Sequence, residues 1–204
     1  MNKLESMILA LAIPAAIAAK AEASNVKCVT SLEEGVKPYV AANMFYQMPS
    51  GIDGFTFVNF SEGGYYGKTT LKKQIDEGIS VRGQTVHANE PITQTGVGIG
   101  AVVPGLPKNT FLEVNYMPAW FDENGLVEDQ AQAGYFVSVN LPAGIQLSSF
   151  GDWNVTGLNP KWMYGEVEVS KKFGPVSVSY NGALIGDGDA TPDIEHRVAV
   201  AAEF

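Results

Sequence analysis

The chain has 204 residues, which is enough for one domain with its own core. Only 17% of the residues are charged, below the roughly 25% of typical soluble domains. The formal net charge is −9, which argues against a nucleic-acid-binding protein because such proteins usually carry a basic face. The single cysteine, Cys28, excludes a framework of intrachain disulfides, and residues 25–27 lack the small residue that precedes a lipidated cysteine.

Residues 1–23 have the three-part pattern of a secretory signal peptide. Lys3 supplies a positive charge, residues 7–19 are apolar, and Ala21 and Ala23 place small residues three and one positions before a cleavage point. The apolar stretch is shorter than the roughly 20 residues that a membrane-spanning helix requires. A buried core helix is the alternative interpretation. The pattern predicts export and cleavage after Ala23.

Two structures are compatible with the segment 24–53. The stretch 37–49 has the apolar and aromatic content of a strand. Its apolar residues also recur every four positions, at Val36, Val40, Met44 and Met48, which suits a helix. The segment is therefore predicted to be either a further strand or a short helix that plugs or caps the domain following it.

From residue 54 to residue 204, apolar and polar residues alternate with a period of two, which is the pattern of β-strands. Most of the predicted strands have about 8–12 residues, close to the 9–11 of a tilted membrane strand. They span 54–61, 65–75, 79–88, 95–103, 110–121, 133–141, 145–153, 161–172, 176–186 and 194–204.

The connections between these strands alternate in length along the chain. Short turns are predicted at 76–78, 104–109, 142–144 and 173–175, and longer polar loops at 89–94, 122–132, 154–160 and 187–193. The short link 61–64 on the long-loop side is the exception. Short turns at one rim and long loops at the other are typical of transmembrane barrels. The predicted fold is an all-β, up-and-down antiparallel transmembrane β-barrel of ten strands over 54–204, or of eight without the first hairpin, or of twelve if 24–53 joins the wall.

The signal peptide and the last strand together decide between two kinds of barrel. A soluble barrel keeps its apolar face inside, whereas a membrane barrel turns it toward lipid. The apolar positions of the last strand end on an aromatic residue, and they are Val198, Val200, Ala202 and Phe204. This strand resembles the terminal strand of bacterial outer-membrane proteins. The resemblance implies a small bacterial outer-membrane β-barrel whose partners are outer-membrane lipid, lipopolysaccharide and the barrel-assembly machinery.

If Phe204 faces lipid, the alternation predicts which of the other side chains face lipid and which face the lumen. Leu112, Val114, Tyr116 and Trp120 are predicted to face outward. Aromatic residues near strand ends are predicted to form interface girdles, at Tyr65, Tyr66, Trp120, Phe121, Trp153, Trp162 and Phe173. The charges predicted to face the lumen are Lys68, Lys72, Arg82, Glu113, Glu166, Glu168, Arg197 and Glu203.

These lumen charges have two interpretations. They are expected to form ion pairs that fill the interior, because an isolated charge in a poorly hydrated lumen is costly. Alternatively, they line a narrow polar pore. Gly96, Gly98 and Gly100 occupy every second position of one strand, where they either bend the wall, which is the commoner role, or leave space in the lumen.

Other chemistry is sparse in this sequence. His87 and His196 lie at strand ends on the long-loop rim, where a rim-active membrane enzyme, lipid-modifying or proteolytic, would place a base. No catalytic motif accompanies them, so no enzyme is predicted. The acidic residues of 187–193 lack the glycine and glutamate of a calcium loop, so neither a metal nor a cofactor is predicted. The leading function is a narrow polar pore or a structural or surface-interaction barrel, and the two alternatives are a rim-active membrane enzyme and a soluble periplasmic ligand-binding β-barrel.

Overall fold

The protein is a closed antiparallel β-barrel. The computed structural model describes residues 21–33, 37–48, 51–127, 130–156, 161–186 and 193–203. Within these ranges, twelve long strands form the wall, and each pairs with its two neighbours in the ring. Pairing of β1 with β13 and of β6 with β7 closes the sheet, so no long strand is left with an unpaired edge.

The strand bounds follow the predicted alternation closely. The long strands are β1 (Ala21–Ser31), β2 (Tyr39–Met48), β3 (Ile52–Ser61), β4 (Gly64–Asp76), β5 (Ile79–Ala88), β6 (Glu90–Val102), β7 (Thr110–Asp122), β9 (Gln132–Leu141), β10 (Ile145–Asn154), β11 (Lys161–Phe173), β12 (Val176–Ile185) and β13 (Asp193–Glu203). The two-residue strand β8 (Gly125–Leu126) extends the end of β7.

The predicted count of ten strands is wrong, and the alternative count of twelve is correct. The difference lies in the N-terminal segment, where β1 and β2 form part of the wall instead of a plug helix. The spacing of four residues that suggests a helix is also an even number, and residues an even number of positions apart lie on the same face of a strand. Val40 and Met44 therefore lie on one face of a strand as well. Val36 lies outside the described residues.

The connections divide between two rims as predicted, with one exception. The short-turn rim holds the connections 77–78, 103–109, 142–144 and 174–175. Gly78 and Gly174 have φ of 75° and 62°, a conformation that favours glycine in tight turns. At the long-loop rim, the predicted loop 89–94 is instead the single residue Asn89, because β6 already begins at Glu90. None of the described residues belongs to a helix long and apolar enough to span a bilayer.

The inner face of the wall is identified by an ion pair. Lys68 of β4 and Asp152 of β10 lie on strands almost opposite each other in the ring, so their side chains meet only inside the barrel. Alternation along each strand and pairing between strands then assign the other residues to the inner or the outer face. Most buried inward positions are polar or small, and they include Thr70, Gln84, Ser179, Asn181, Ala183, Ala199 and Ala201.

The outer face is apolar over most of the wall. Its exposed side chains include Val97, Ile99, Val114, Tyr116, Leu147, Val167, Val169, Val178, Tyr180, Val198 and Val200. Phe204 lies outside the described residues, but the register inferred from it holds for its strand, since Val200 is 53% exposed and Arg197 only 8%. This arrangement is the reverse of a soluble barrel with an apolar interior, so that alternative does not fit the structure.

A β-bulge in β7 changes the face of one predicted residue. Two residues of β7, Met117 and Pro118, lie opposite the single residue Gly98 of β6. The extra residue shifts the alternation, so Trp120 faces the lumen and is 1% exposed, instead of facing lipid as predicted. Tyr66 of the predicted girdle also faces inward, because it shares the parity of Lys68. Trp153 and Trp162 pack edge to face on the outer surface, with ring centroids 4.8 Å apart.

The bulge requires glycine at position 98. A Cβ atom there would lie 2.1 Å from the Tyr116 carbonyl oxygen and 2.7 Å from the Met117 sulfur. We expect Gly98→Ala to lower the free energy of unfolding by about 1–3 kcal/mol, the usual cost of overpacking. Urea unfolding in detergent micelles measures this change. Gly83→Ala is the matched control, since nothing lies within 4 Å of a Cβ at that position; equal losses in both variants would contradict the explanation.

Candidate functional site in the barrel lumen

Ion pairs, most of them between strands, occupy the lumen. Among the described residues they join five basic and five acidic side chains, so the fixed charges balance. The pairs are Lys27–Glu168, Lys68–Asp152, Lys72–Glu113, Arg82–Glu113, Arg197–Glu166 and Arg197–Glu195. The balance holds for the sum of these pairs, since two cations share Glu113 and two carboxylates share Arg197, so the first group carries one excess positive charge and the second one excess negative charge.

The first cluster is centred on Glu113 of β7. Its carboxylate accepts from Arg82 of β5 and, at 3.1 Å, from Lys72 of β4. Only 9% of the Glu113 side chain is exposed, so the two cations compensate a nearly buried charge. Between these strands, β6 presents glycines to the lumen, and a Cβ at Gly100 would lie 2.9 Å from Arg82 Cδ. These glycines therefore leave room in the lumen for the side chains of neighbouring strands, such as Arg82.

The second cluster is centred on Arg197 of β13. Its guanidinium donates to Glu195 at 2.6 Å and to Glu166 at 3.1 Å. The same group donates to the hydroxyls of Tyr39 at 3.2 Å and Tyr164 at 2.9 Å. Carboxylates and hydroxyls from the three strands β2, β11 and β13 are thus held against one guanidinium, whose planar array of donors suits several acceptors at once.

A hydrogen-bonded extension of this cluster reaches β1. Asn181 of β12 donates to Glu166 at 3.2 Å and to Glu168 at 2.7 Å, and Glu168 also pairs with Lys27 of β1. Two strands, β13 and β12, lie between β1 and β11, and β13 presents Ala199 and Ala201 beside Lys27. Small side chains on β13 therefore allow a pair to form between strands that are not neighbours.

The third feature crosses the lumen. Lys68 Nζ donates to Asp152 Oδ2 at 3.1 Å, although β4 and β10 are five places apart in the ring of twelve described long strands. Each of these side chains is 25% exposed, more than the side chains of Glu113 or Arg197. One lysine and one aspartate therefore bridge the two walls in a part of the lumen that water reaches.

The structure places seven of the eight predicted lumen charges in these pairs. The eighth, Glu203, pairs with Lys172 at the short-turn rim, where both side chains are well exposed. The prediction missed Lys27, Asp152 and Glu195. Glu195 shares the parity of Arg197, a predicted lumen charge, so the same rule extends to it, whereas Asp152 lies on a strand for which no inward face is predicted. Lys27 was missed because its segment was not assigned to a strand.

Both histidines point away from the lumen. His87 of β5 pairs in register with Gly67, and His196 of β13 pairs with Gly182, both at outward positions near the long-loop rim. The Tyr180 hydroxyl lies 2.6 Å from His196 Nδ1. The two histidines lie on well-separated strands and do not form a joint site. Across the described ranges, no group of three or more His, Cys, Asp and Glu side chains is arranged to hold a metal ion.

Comparison with known proteins identifies the fold. No protein-family model and no curated relative matches the sequence. The chain is similar to the solved structure of the KdgM porin, with a TM-score of 0.59 and 7% identity over 89% of this chain and 99% of that one. It is also similar to the NanC porin, with a TM-score of 0.57 and 8% identity over 88% and 98%. The chain therefore has the fold of a bacterial outer-membrane β-barrel, and the resemblance inferred from its last strand is confirmed at that level.

Proposed function

We propose that the chain forms a narrow, water-filled pore for small polar solutes in the bacterial outer membrane. One observation carries the proposal: the Lys68–Asp152 pair crosses the lumen while both side chains keep 25% of their surface exposed. A lumen packed as densely as a protein core would bury such a pair. The pair narrows a channel that water still enters, and the porin-like fold is consistent with this role.

Exposure at mid-height of the wall supports the same proposal. Phe136 lies in the middle of β9 and faces the lumen, since it pairs in register with Glu113. Its side chain is nevertheless 42% exposed. Because small filled barrels leave little free surface inside, this exposed ring favours an open passage over a solid interior.

Planar-bilayer recording on refolded protein tests the pore. We expect stepwise conductance increments in potassium chloride, because a hydrated lumen with balanced charges admits both ions. Absence of increments from correctly folded protein would refute the pore and leave a structural or surface-interaction role. Among the residues that the structure describes, no arrangement around His87 or His196 supports an enzymatic role, and replacement of these histidines by alanine is expected to leave the increments unchanged.

The outer surface supports a position within the bilayer. Its apolar side chains match the lipid-facing band of membrane barrels. We infer contacts with outer-membrane lipid and lipopolysaccharide, and insertion by the barrel-assembly machinery. The folded protein is expected to fractionate with outer membranes and to change its gel mobility on boiling. Recovery in the soluble periplasmic fraction without detergent would contradict this location.

Export through a cleaved signal peptide completes the proposal. Cleavage after Ala23 removes three residues from the start of β1, but the pairing of β1 with β13 begins only at Asn25. The closing seam of the barrel is therefore retained in the processed chain. N-terminal sequencing of the membrane-extracted protein is expected to begin at Ser24, and an intact Met1 would contradict processing.

A further inference from the structure

A row of aromatic side chains crosses one wall of the lumen. Its members belong to four successive strands of the ring and alternate with lumen charges: Phe111 of β7, Phe136 of β9, Phe150 of β10 and Tyr164 of β11. The ring centroids of Phe111 and Phe136 are 6.1 Å apart, and those of Phe150 and Tyr164 are 5.9 Å apart. Phe136 and Phe150 are direct cross-strand partners. The row rises from near the short-turn rim to near the long-loop rim.

A second aromatic row lies on the other side of the lumen. It comprises Phe45 of β2, Phe55 and Phe57 of β3, and Tyr66 of β4. The Phe45 and Phe55 centroids are 4.8 Å apart, and those of Phe57 and Tyr66 are 6.4 Å apart. Phe57 is the cross-strand partner of Lys68, which establishes that this row faces inward.

The cross-lumen ion pair joins the two rows. Lys68 follows Tyr66 at the next inward position of β4, and Asp152 follows Phe150 at the next inward position of β10. Since these two side chains meet at 3.1 Å, the aromatic walls lie close together at this height. The clusters around Glu113 and Arg197 occupy the remaining sectors of the ring. The lumen is therefore a slot with apolar faces and polar edges.

Several rings of the slot are exposed to water. Phe45 is 45% exposed, Phe136 42%, Tyr66 39% and Phe111 38%. Apolar walls that carry a few convergent polar groups are typical of small-molecule sites. The opposite excess charges of the two edges cancel over the lumen as a whole, and both edges provide hydrogen-bond donors and acceptors.

We propose that this aromatic slot binds uncharged pyranose sugars during their passage through the barrel. The apolar C–H faces of a pyranose ring fit against the phenylalanine rings, and its hydroxyl groups at the ring edge reach the carboxylates, guanidinium groups and amides at the sides of the slot. This inference rests on the proposed pore function, because the slot is accessible to a solute only through an open lumen.

Calorimetric titration of the folded protein in detergent micelles with maltotriose tests the proposal. We expect saturable binding that weakens about fivefold in Phe136→Ala and in Phe57→Ala, one variant for each wall, as the loss of one ring contact predicts. Phe136→Leu keeps most of the side-chain volume and is expected to weaken binding similarly. Phe60→Ala is the matched control on β3, because Phe60 pairs with Tyr65 on the outer surface.

Three other probes set the limits of the proposal. Trisaccharides of glucosamine and of glucuronate carry charge, and both are expected to bind more weakly than maltotriose. Phenol represents uncharged planar aromatic compounds, and binding of phenol without maltotriose would overturn the assignment to sugars. Absence of maltotriose binding, or binding that is equal in the inward variants and in Phe60→Ala, would overturn it too. Conductance is recorded separately. A barrel that conducts but binds no sugar refutes only the sugar site, whereas a folded barrel that does not conduct refutes the pore.

Discussion

Replacement of Lys68 with alanine is expected to raise the single-channel conductance severalfold and to make the channel prefer cations. The variant removes the side chain that crosses the lumen and leaves the Asp152 carboxylate without its partner at 3.1 Å. An unpaired carboxylate in a narrow lumen concentrates cations and excludes anions. Asp152→Ala is expected to raise the conductance as well but to reverse the preference, since Lys68 then remains unpaired.

Reversal potentials in a potassium chloride gradient measure these preferences. The double variant Lys68→Ala/Asp152→Ala is expected to have the widest pore and the largest conductance, and to recover the weak ion selectivity of the parent. Lys73→Ala is the matched control, because Lys73 is exposed on the opposite face of the same strand. If neither single variant changes the conductance or the reversal potential, the Lys68–Asp152 pair does not lie at the narrowest part of the pathway.

Glu113→Ala is expected to cause the largest loss of stability, about 3–5 kcal/mol in the free energy of unfolding. Glu113 is the shared acceptor of Arg82 and Lys72, and only 9% of its side chain is exposed. Its removal leaves two cations facing each other, one of which, Arg82, is itself largely buried. Glu113→Gln retains an acceptor for a hydrogen bond, so its free energy of unfolding is expected to lie between those of the parent and the alanine variant.

Glu203→Ala provides the comparison for this stability change. The Lys172–Glu203 pair lies at the short-turn rim with 53% and 41% of its side chains exposed, so its loss is expected to cost less than about 1 kcal/mol. Urea unfolding followed by tryptophan fluorescence in the same micelles measures both variants. Losses of similar size at the two positions would show that Glu113 does not hold the β4–β7 part of the wall together.

The alternation of apolar and polar residues was sufficient to predict ten of the twelve strands and the face of most of their side chains. It failed at Trp120, because a bulge depends on the pairing of β6 with β7 and leaves no mark in the periodicity of β7 alone. It also left β2 unresolved, because a spacing of four apolar positions suits a helix and a strand equally.

The sequence by itself determined the class of fold, the apolar outer face and the identity of most lumen charges, since these follow from a local pattern with a period of two. Tertiary structure decided which charges meet. Lys68 and Asp152 are 84 residues apart, and their contact depends on the number of strands and on their positions around the ring. Closure through β1 and β13 and the alignment of two aromatic rows across the lumen depend on the same register, which is a property of the whole barrel and not of any one strand.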